Sequence, residues 1–131
     1  STNGVGTAGD NSWSDYSITA DVKRNGQGAA ILGRYSASNS YYQLIIYNTN
    51  SYKLSKNVNG SWTELATGGF VNSASNYYQL KLDFNGSTIT AIIDGQTLAT
   101  VTDISIASGV IGLRVINGTA DYDNVVVSPT Q

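Results

Sequence analysis

The stretch YYQLKLDFNGSTITAIIDGQTLATV, residues 77–101, decides the fold class. Apolar and polar residues alternate in it with a period of two, which is typical of half-buried β-strands. Two dipeptides interrupt the alternation, Asn85-Gly86 and Asp94-Gly95, and both favour the positive φ angles of tight hairpin turns. The stretch therefore predicts three antiparallel strands, over residues 77–84, 88–93 and 96–101.

The same alternation recurs along the rest of the chain. It predicts further strands over residues 16–23, 29–35, 41–47, 110–115 and 122–127. Three more dipeptides, Asn25-Gly26, Asn59-Gly60 and Asn117-Gly118, are interpreted as hairpin turns. No segment has a convincing helical period, and antiparallel strands in this number must close into a barrel or stack as two sheets. We expect an all-β fold, with a sandwich favoured, and a single domain over residues 1–131.

The composition excludes several classes of function. The chain contains no Cys, His or Met, which excludes a thiol nucleophile, a Ser-His-Asp triad and a zinc site of the usual kind. Seven basic and nine acidic residues give a net charge of -2. This balance predicts no nucleic-acid partner and no membrane attachment. A low charge with many Ser, Thr, Asn, Gly and Tyr residues suits a secreted, sugar-facing domain, and equally other secreted β-domains.

Carboxylates are too few for an obvious hydrolase. Glycoside hydrolysis normally uses two Asp or Glu residues on either side of the scissile bond, and Glu64 is the only glutamate. We therefore expect no enzymatic activity. A lyase that works through Lys, Arg and Tyr is not excluded by residue type.

Six motifs occur in an order that resembles a known family. They are AGDNSWSDYSITADVK (8–23), AAILGRY (29–35), NYYQLKL (76–82), IIDGQTL (92–98), GVIGLR (109–114) and DYDNVVV (121–127). The series resembles the family 66 carbohydrate-binding modules and the lectin-like domain of galactocerebrosidase. That resemblance implies a concanavalin-like jelly-roll sandwich of two antiparallel sheets, non-catalytic sugar binding and a structural calcium ion.

The resemblance also implies a biological setting. The domain would target a secreted polysaccharide-degrading enzyme to its glycan, a plant or microbial polysaccharide such as a fructan or pectin. Its partners would then be the polysaccharide and the catalytic domain of the parent enzyme. The alternative is a structural or adhesive sandwich domain of a cell-surface protein, and a polysaccharide lyase or glycanase is a third reading.

Five residues are predicted to line the ligand site. Sugar binding requires aromatic faces and planar polar groups, and the aromatic candidates are Tyr41, Tyr47 and Trp62. Arg34 and Arg114 each lie in an apolar strand near a glycine, where a charge must face solvent, a groove or a partner carboxylate. The alternative for both arginines is a structural ion pair.

Acidic and amide residues near the two ends of the chain predict a metal site. Asp123 and Asn124 match the C-terminal Asp-Asn pair of the family that the sequence resembles, and Asp10 is a second contributor. Oxygen ligands of this kind are those that Ca²⁺ requires. The alternative is that these are ordinary turn and strand-end residues.

The N-terminus departs from that family pattern, in which a further strand precedes the position of Asp10. Three glycines among residues 1–9 disfavour regular strand pairing, so this strand is predicted to be absent or cut short. The neighbouring sheet edge would then be covered by a strand from another chain. The alternative is that a short ladder at Val5 and Thr7 blunts the edge.

Overall fold

The computed structural model describes residues 3–10, 12–37 and 39–129. Within these residues it contains nine β-strands. The described part of the chain contains no helix that is long and apolar enough to cross a membrane. The strands are β1 (Asn3–Ala8), β2 (Tyr16–Ala37), β3 (Ser40–Tyr47), β4 (Ser51–Val58), β5 (Ser61–Gly69), β6 (Tyr78–Asn85), β7 (Thr88–Ile93), β8 (Gln96–Thr102) and β9 (Val110–Pro129).

The two long strands, β2 and β9, belong to both sheets. The first half of β2 pairs with β6 and its second half pairs with β3, while β9 lies beside both halves. One sheet therefore has the order β1-β9-β2-β3-β4-β5 and the other β9-β2-β6-β7-β8, with every ladder antiparallel. This arrangement is a concanavalin-like jelly-roll sandwich, which confirms the predicted fold class. The prediction of a single domain over residues 1–131 stays a prediction.

One hydrophobic core fills the space between the sheets. Even-numbered residues of β6 point into it, as the alternation predicts, and so do those of β3, for which the sequence left the inward face open. Burial of each large side chain contributes about 1.5–3 kcal/mol. The fully buried residues include Ile18, Ile31, Tyr42, Leu44, Leu54, Leu80, Leu82 and Phe84. The odd-numbered residues of β3 consequently lie on the outer face of the six-stranded sheet.

Two of the predicted hairpin turns are wrong. Asn25-Gly26 lies within β2 and Asn117-Gly118 lies within β9, and Gly26 is paired directly with Gly118. Both strands pass from one sheet to the other at this point. A Cβ atom on Gly26 would lie 2.6 Å from the carbonyl oxygen of Asn117, so the close approach of the two backbones requires glycine.

The remaining turn dipeptides behave as hairpin signals. Asn59-Gly60 and Asp94-Gly95 are two-residue turns in which all four residues have positive φ, the conformation that suits the twist of the flanking strands. The third turn is at Gly86-Ser87, one residue further along the chain than predicted.

The N-terminal residues form a short strand, so the predicted absence of a strand before Asp10 is wrong but the predicted short strand is not. Residues Asn3–Ala8 form β1, which pairs with β9 and places Gly6 opposite Leu113. The alternative of a short ladder that includes Val5 and Thr7 is the one observed. Because β1 covers the β9 edge of the six-stranded sheet, this edge needs no partner strand from another chain.

Candidate functional site

The outer face of the six-stranded sheet contains a groove of about 400 Å³, called the outer groove below. Strands β3, β4 and β9 line it with alternate side chains, because the intervening ones pack into the core, and β5 contributes three consecutive residues. The lining residues are Gln43, Tyr47, Lys53, Ser55, Trp62, Thr63, Glu64, Arg114 and Ile116.

Arg114 and Trp62 meet across the outer groove. Arg114 is on β9 and Trp62 is on β5, and three strands lie between them. On a flat sheet this separation is about 19 Å, yet the guanidinium carbon lies 5.3 Å from the indole ring centre. Both side chains therefore extend over the face toward each other, in the geometry of a cation–π contact.

Two contacts hold Arg114 in this position. One guanidinium nitrogen donates a hydrogen bond to Gln43 Oε1 at 2.6 Å. The Tyr122 hydroxyl donates to the Arg114 carbonyl oxygen at 2.6 Å and accepts from the Ala30 N–H at 3.2 Å. Burial raises the pKa of Tyr122 to about 12, so this hydroxyl stays protonated and the Arg114 backbone stays fixed. The other guanidinium N–H groups make no hydrogen bond to a described residue, and they are available to a ligand.

The charges of the outer groove are those of Lys53, Glu64 and Arg114. Lys53 Nζ lies 3.4 Å from a Glu64 carboxylate oxygen, and both side chains are partly exposed. Such a pair stabilises the fold by less than about 1 kcal/mol. Lys53 Nζ also lies 5.9 Å from the ring centre of Tyr47. The groove thus offers donors and acceptors at one end, next to an aromatic ring.

Tyr41 lies on the predicted face but does not present an open ring. It is 4% exposed, because it stacks on Tyr35 with an interplanar angle of 6° and contacts the edge of Trp62 at a centroid distance of 5.7 Å. Trp62 itself is 46% exposed. Tyr41 and Tyr35 therefore support Trp62, which is the ring that solvent and a ligand can reach.

The sequence profile of one protein family, described as the galactocerebrosidase C-terminal lectin domain, matches residues 1–130. The chain belongs to this family. No curated protein sequence matches it significantly.

Solved structures of similar fold include several lectin-like proteins. The carbohydrate-binding module CBM66 from Bacillus subtilis has a TM-score of 0.80 and 20% identity, over 88% of this chain and 75% of that one. Galectin LEC-6 of Caenorhabditis elegans has a TM-score of 0.73 and 13% identity, over 98% and 91% of the two chains. A GH43 protein from Bacillus licheniformis has a TM-score of 0.66 and 17% identity, over 88% of this chain but only 28% of that one.

Arg34 does not line the outer groove of this lectin-domain protein but a separate, smaller cavity, and a ligand-binding role for it stays a prediction. Its side chain is 3% exposed and lies at one end of the sandwich. The guanidinium donates to the carbonyl oxygens of Ser14, Ile106 and Gly86 at 2.8–3.2 Å. One Asp15 carboxylate oxygen lies 3.5 Å from the guanidinium, so the alternative of a structural ion pair is observed for Arg34, and the backbone carbonyls add to it.

Lys53, Ser55 and Glu64 were not predicted as site residues. Strands β4 and β5, which carry them, were not predicted either, because polar residues dominate residues 51–69. The sequence nevertheless contains a strand pattern here: Tyr52 and Leu54, which are buried, alternate with Lys53 and Ser55, which face outward.

The three predicted calcium ligands do not form one site. The Asp10 carboxylate accepts hydrogen bonds from the Ser12 N–H and hydroxyl, while the Asn124 amide donates to Asp21 at 2.7 Å. No hydrogen bond or ion pair among the described residues joins Asp10 to Asp123 or Asn124, and their acidic side chains form no group of three that could hold a metal. Asn124 has a φ of 50° opposite a register shift in β2, which is the conformation of a β-bulge. Calcium binding by this protein stays a prediction. A comparison of its melting temperature with and without a chelator would test it.

Proposed function

We propose that this domain binds carbohydrate in the outer groove. One observation carries the proposal: an exposed indole, Trp62, lies beside the partly unpaired guanidinium of Arg114, within a groove lined by amide, hydroxyl and carboxylate groups. Sugars are recognised by aromatic faces that pack on C–H groups and by planar polar groups that pair with hydroxyls. Membership of a family described as a lectin domain supports the same function.

We further propose that binding occurs without catalysis. Glu64 is the only carboxylate among the residues that line the outer groove, and hydrolysis of a glycosidic bond normally uses two. A spacer or adhesive domain is less well supported, because a spacer needs no groove with an exposed aromatic ring.

The proposed setting is a secreted enzyme that degrades a polysaccharide, such as a fructan or pectin. The domain would hold the catalytic domain of the parent enzyme at the polymer surface and raise its effective concentration there. This part of the proposal is supported by the similarity to 28% of a larger GH43 chain and by the low content of charged residues.

The experiment is a glycan array that includes fructan, pectic and galactan oligosaccharides, followed by calorimetry on the tightest binder. Trp62→Ala should weaken binding about 30-fold or more, the effect expected of a central aromatic residue. Tyr77→Ala is the matched control, because Tyr77 is 49% exposed, similar to Trp62, but lies outside the groove. Absence of any glycan binding, or equal affinity of Trp62→Ala and wild type, would refute the proposal, and release of sugar products would refute its non-catalytic part.

A further inference from the structure

A buried amide oxygen beside the outer groove has no hydrogen-bond partner among the described residues, and its residue is the strand neighbour of Trp62. Asn57 lies on the outer face of β4 and is 3% exposed. Its Oδ1 atom is buried and has no hydrogen-bond partner among the described residues. Native proteins pair nearly all of their buried polar side-chain atoms, and an unpaired one loses the hydration it had in the unfolded chain. Asn57 therefore requires an explanation.

The rings of Tyr41 and Trp62 bury Asn57. Tyr41 is its direct neighbour on β3 and Trp62 is its direct neighbour on β5. These two positions are two strand spacings apart, about 10 Å, but the ring centroids are separated by only 5.7 Å. The rings consequently meet above the asparagine that lies between them.

The two rings that cover Asn57 differ in how firmly they are held. Tyr41 is 4% exposed and is stacked on Tyr35. Trp62 is 46% exposed, and its ring contacts the edge of Tyr41 on one side and the Arg114 guanidinium on the other. An exposed indole held by weak contacts can change rotamer within nanoseconds, so Trp62 is the half that can move.

We propose that Asn57 is a buried hydrogen-bonding subsite for a sugar hydroxyl, uncovered when the Trp62 indole rotates away from Tyr41. The hydroxyl would donate to Asn57 Oδ1 while the face of the sugar ring packs on the displaced indole. Gln43 Oε1 on the same face already accepts from Arg114, whereas Asn57 Oδ1 accepts from no described residue. This inference rests on the carbohydrate-binding function proposed above.

The principal test is Asn57→Leu, which has a similar volume and no polar atom. Because the substitution removes an unpaired buried amide, the melting temperature should be equal to or higher than that of wild type. The affinity for the tightest oligosaccharide of the array should nevertheless fall at least tenfold. Asn85→Leu is the control, since Asn85 is an exposed residue of the other sheet and should leave the affinity unchanged. A monodeoxy series of the same oligosaccharide should contain one analogue whose loss of affinity disappears in the Asn57→Leu protein.

Fluorescence provides a second readout that does not depend on a substitution at Asn57. The chain has two tryptophans, so Trp13→Phe leaves Trp62 as the only one. Saturating oligosaccharide should shift the Trp62 emission and change its quenching by acrylamide. An unchanged emission, or an Asn57→Leu protein that binds as tightly as wild type, would overturn the subsite while carbohydrate binding itself stands. A wild-type protein that binds no glycan of the array would overturn both.

Discussion

Arg34 and Arg114 occupy similar sequence contexts but opposite environments. Each lies in an apolar strand near a glycine, and each guanidinium lies over an aromatic ring, that of Phe84 at 4.8 Å and that of Trp62 at 5.3 Å. Arg34 is 2% exposed and bonds to backbone carbonyls at the end of the sandwich. Arg114 is only partly buried and has one amide partner in the outer groove.

The difference shows that the position of an arginine in the sandwich determines its role. Arg34 has a φ of 46° in a β-bulge of β2, a conformation that costs roughly 1–2 kcal/mol for a residue other than glycine. The hydrogen bonds of its side chain offset this cost, and the adjacent Gly33 leaves the space that the Phe84 ring fills. Arg34 thus stabilises the fold, whereas Arg114 retains hydrogen-bonding capacity for a ligand.

The largest expected effect is on stability at Arg34. Arg34→Met removes the hydrogen bonds to three backbone carbonyls, those of Ser14, Ile106 and Gly86, and the ion pair with Asp15. The free energy of unfolding should fall by about 3 kcal/mol or more, as measured by urea denaturation. Arg34→Lys should recover little of it, because an ammonium cannot reproduce the planar fork. A loss below about 1 kcal/mol in both variants would show that the two arginines do not differ in this way.

An intermediate effect is expected on affinity at Arg114. Arg114→Gln should change the free energy of unfolding by less than about 1 kcal/mol, because the side chain is partly solvated. Glycan binding should weaken by about 1.5–3 kcal/mol, the contribution of a hydrogen bond to a charged group. Calorimetry on wild type, Arg114→Gln and Arg114→Lys measures the change. If both variants keep wild-type affinity, Arg114 does not contact the ligand, and the contrast between a structural Arg34 and a ligand-binding Arg114 is refuted.

The sequence predicted the core of this fold better than its outer face. The alternation in residues 77–101 gave three strands of the five-stranded sheet and the two hairpins between them, because a period of two directly reports which face is buried. The dipeptide Asn25-Gly26 was misread, because its glycine is required by the close approach of the Asn117-Gly118 backbone and neither residue has a positive φ. Arg114, Tyr47 and Trp62 were predicted and lie in one groove, but their role in binding is untested.

Asn57 and Lys53 could not be found in the same way. They come together with Arg114 only because β9 pairs with β2, a strand that is distant in sequence, and the ladders of β2 with β3 and β3 with β4 then complete the face. The partners of Arg34 could not be predicted either, because its three carbonyl groups belong to three separate loops that sequence patterns do not bring together.

The smallest expected effect concerns the pH dependence of the sandwich end that contains Arg34. Asp103 lies beside the same small cavity as Arg34. Burial alone would raise the pKa of the Asp103 carboxyl, but hydrogen bonds from Lys56, Tyr42 and Ser105 outweigh it and lower the pKa from 3.8 to about 2. A carboxylate whose pKa is lower in the folded state stabilises the protein above its unfolded pKa. This contribution, at most about 2 kcal/mol, should be lost as the pH falls from about 4 to 2.

Asp103→Asn provides the test of this acid sensitivity. The variant should be less stable than wild type at pH 7, since Lys56 loses its charged partner at 2.7 Å, and its stability should change less between pH 4 and pH 2. Urea denaturation at several pH values measures both slopes, and Lys56→Met should move the acid transition of Asp103 toward higher pH, because it removes a hydrogen bond that lowers this pKa. Equal slopes for wild type and Asp103→Asn would mean that other carboxylates govern acid unfolding.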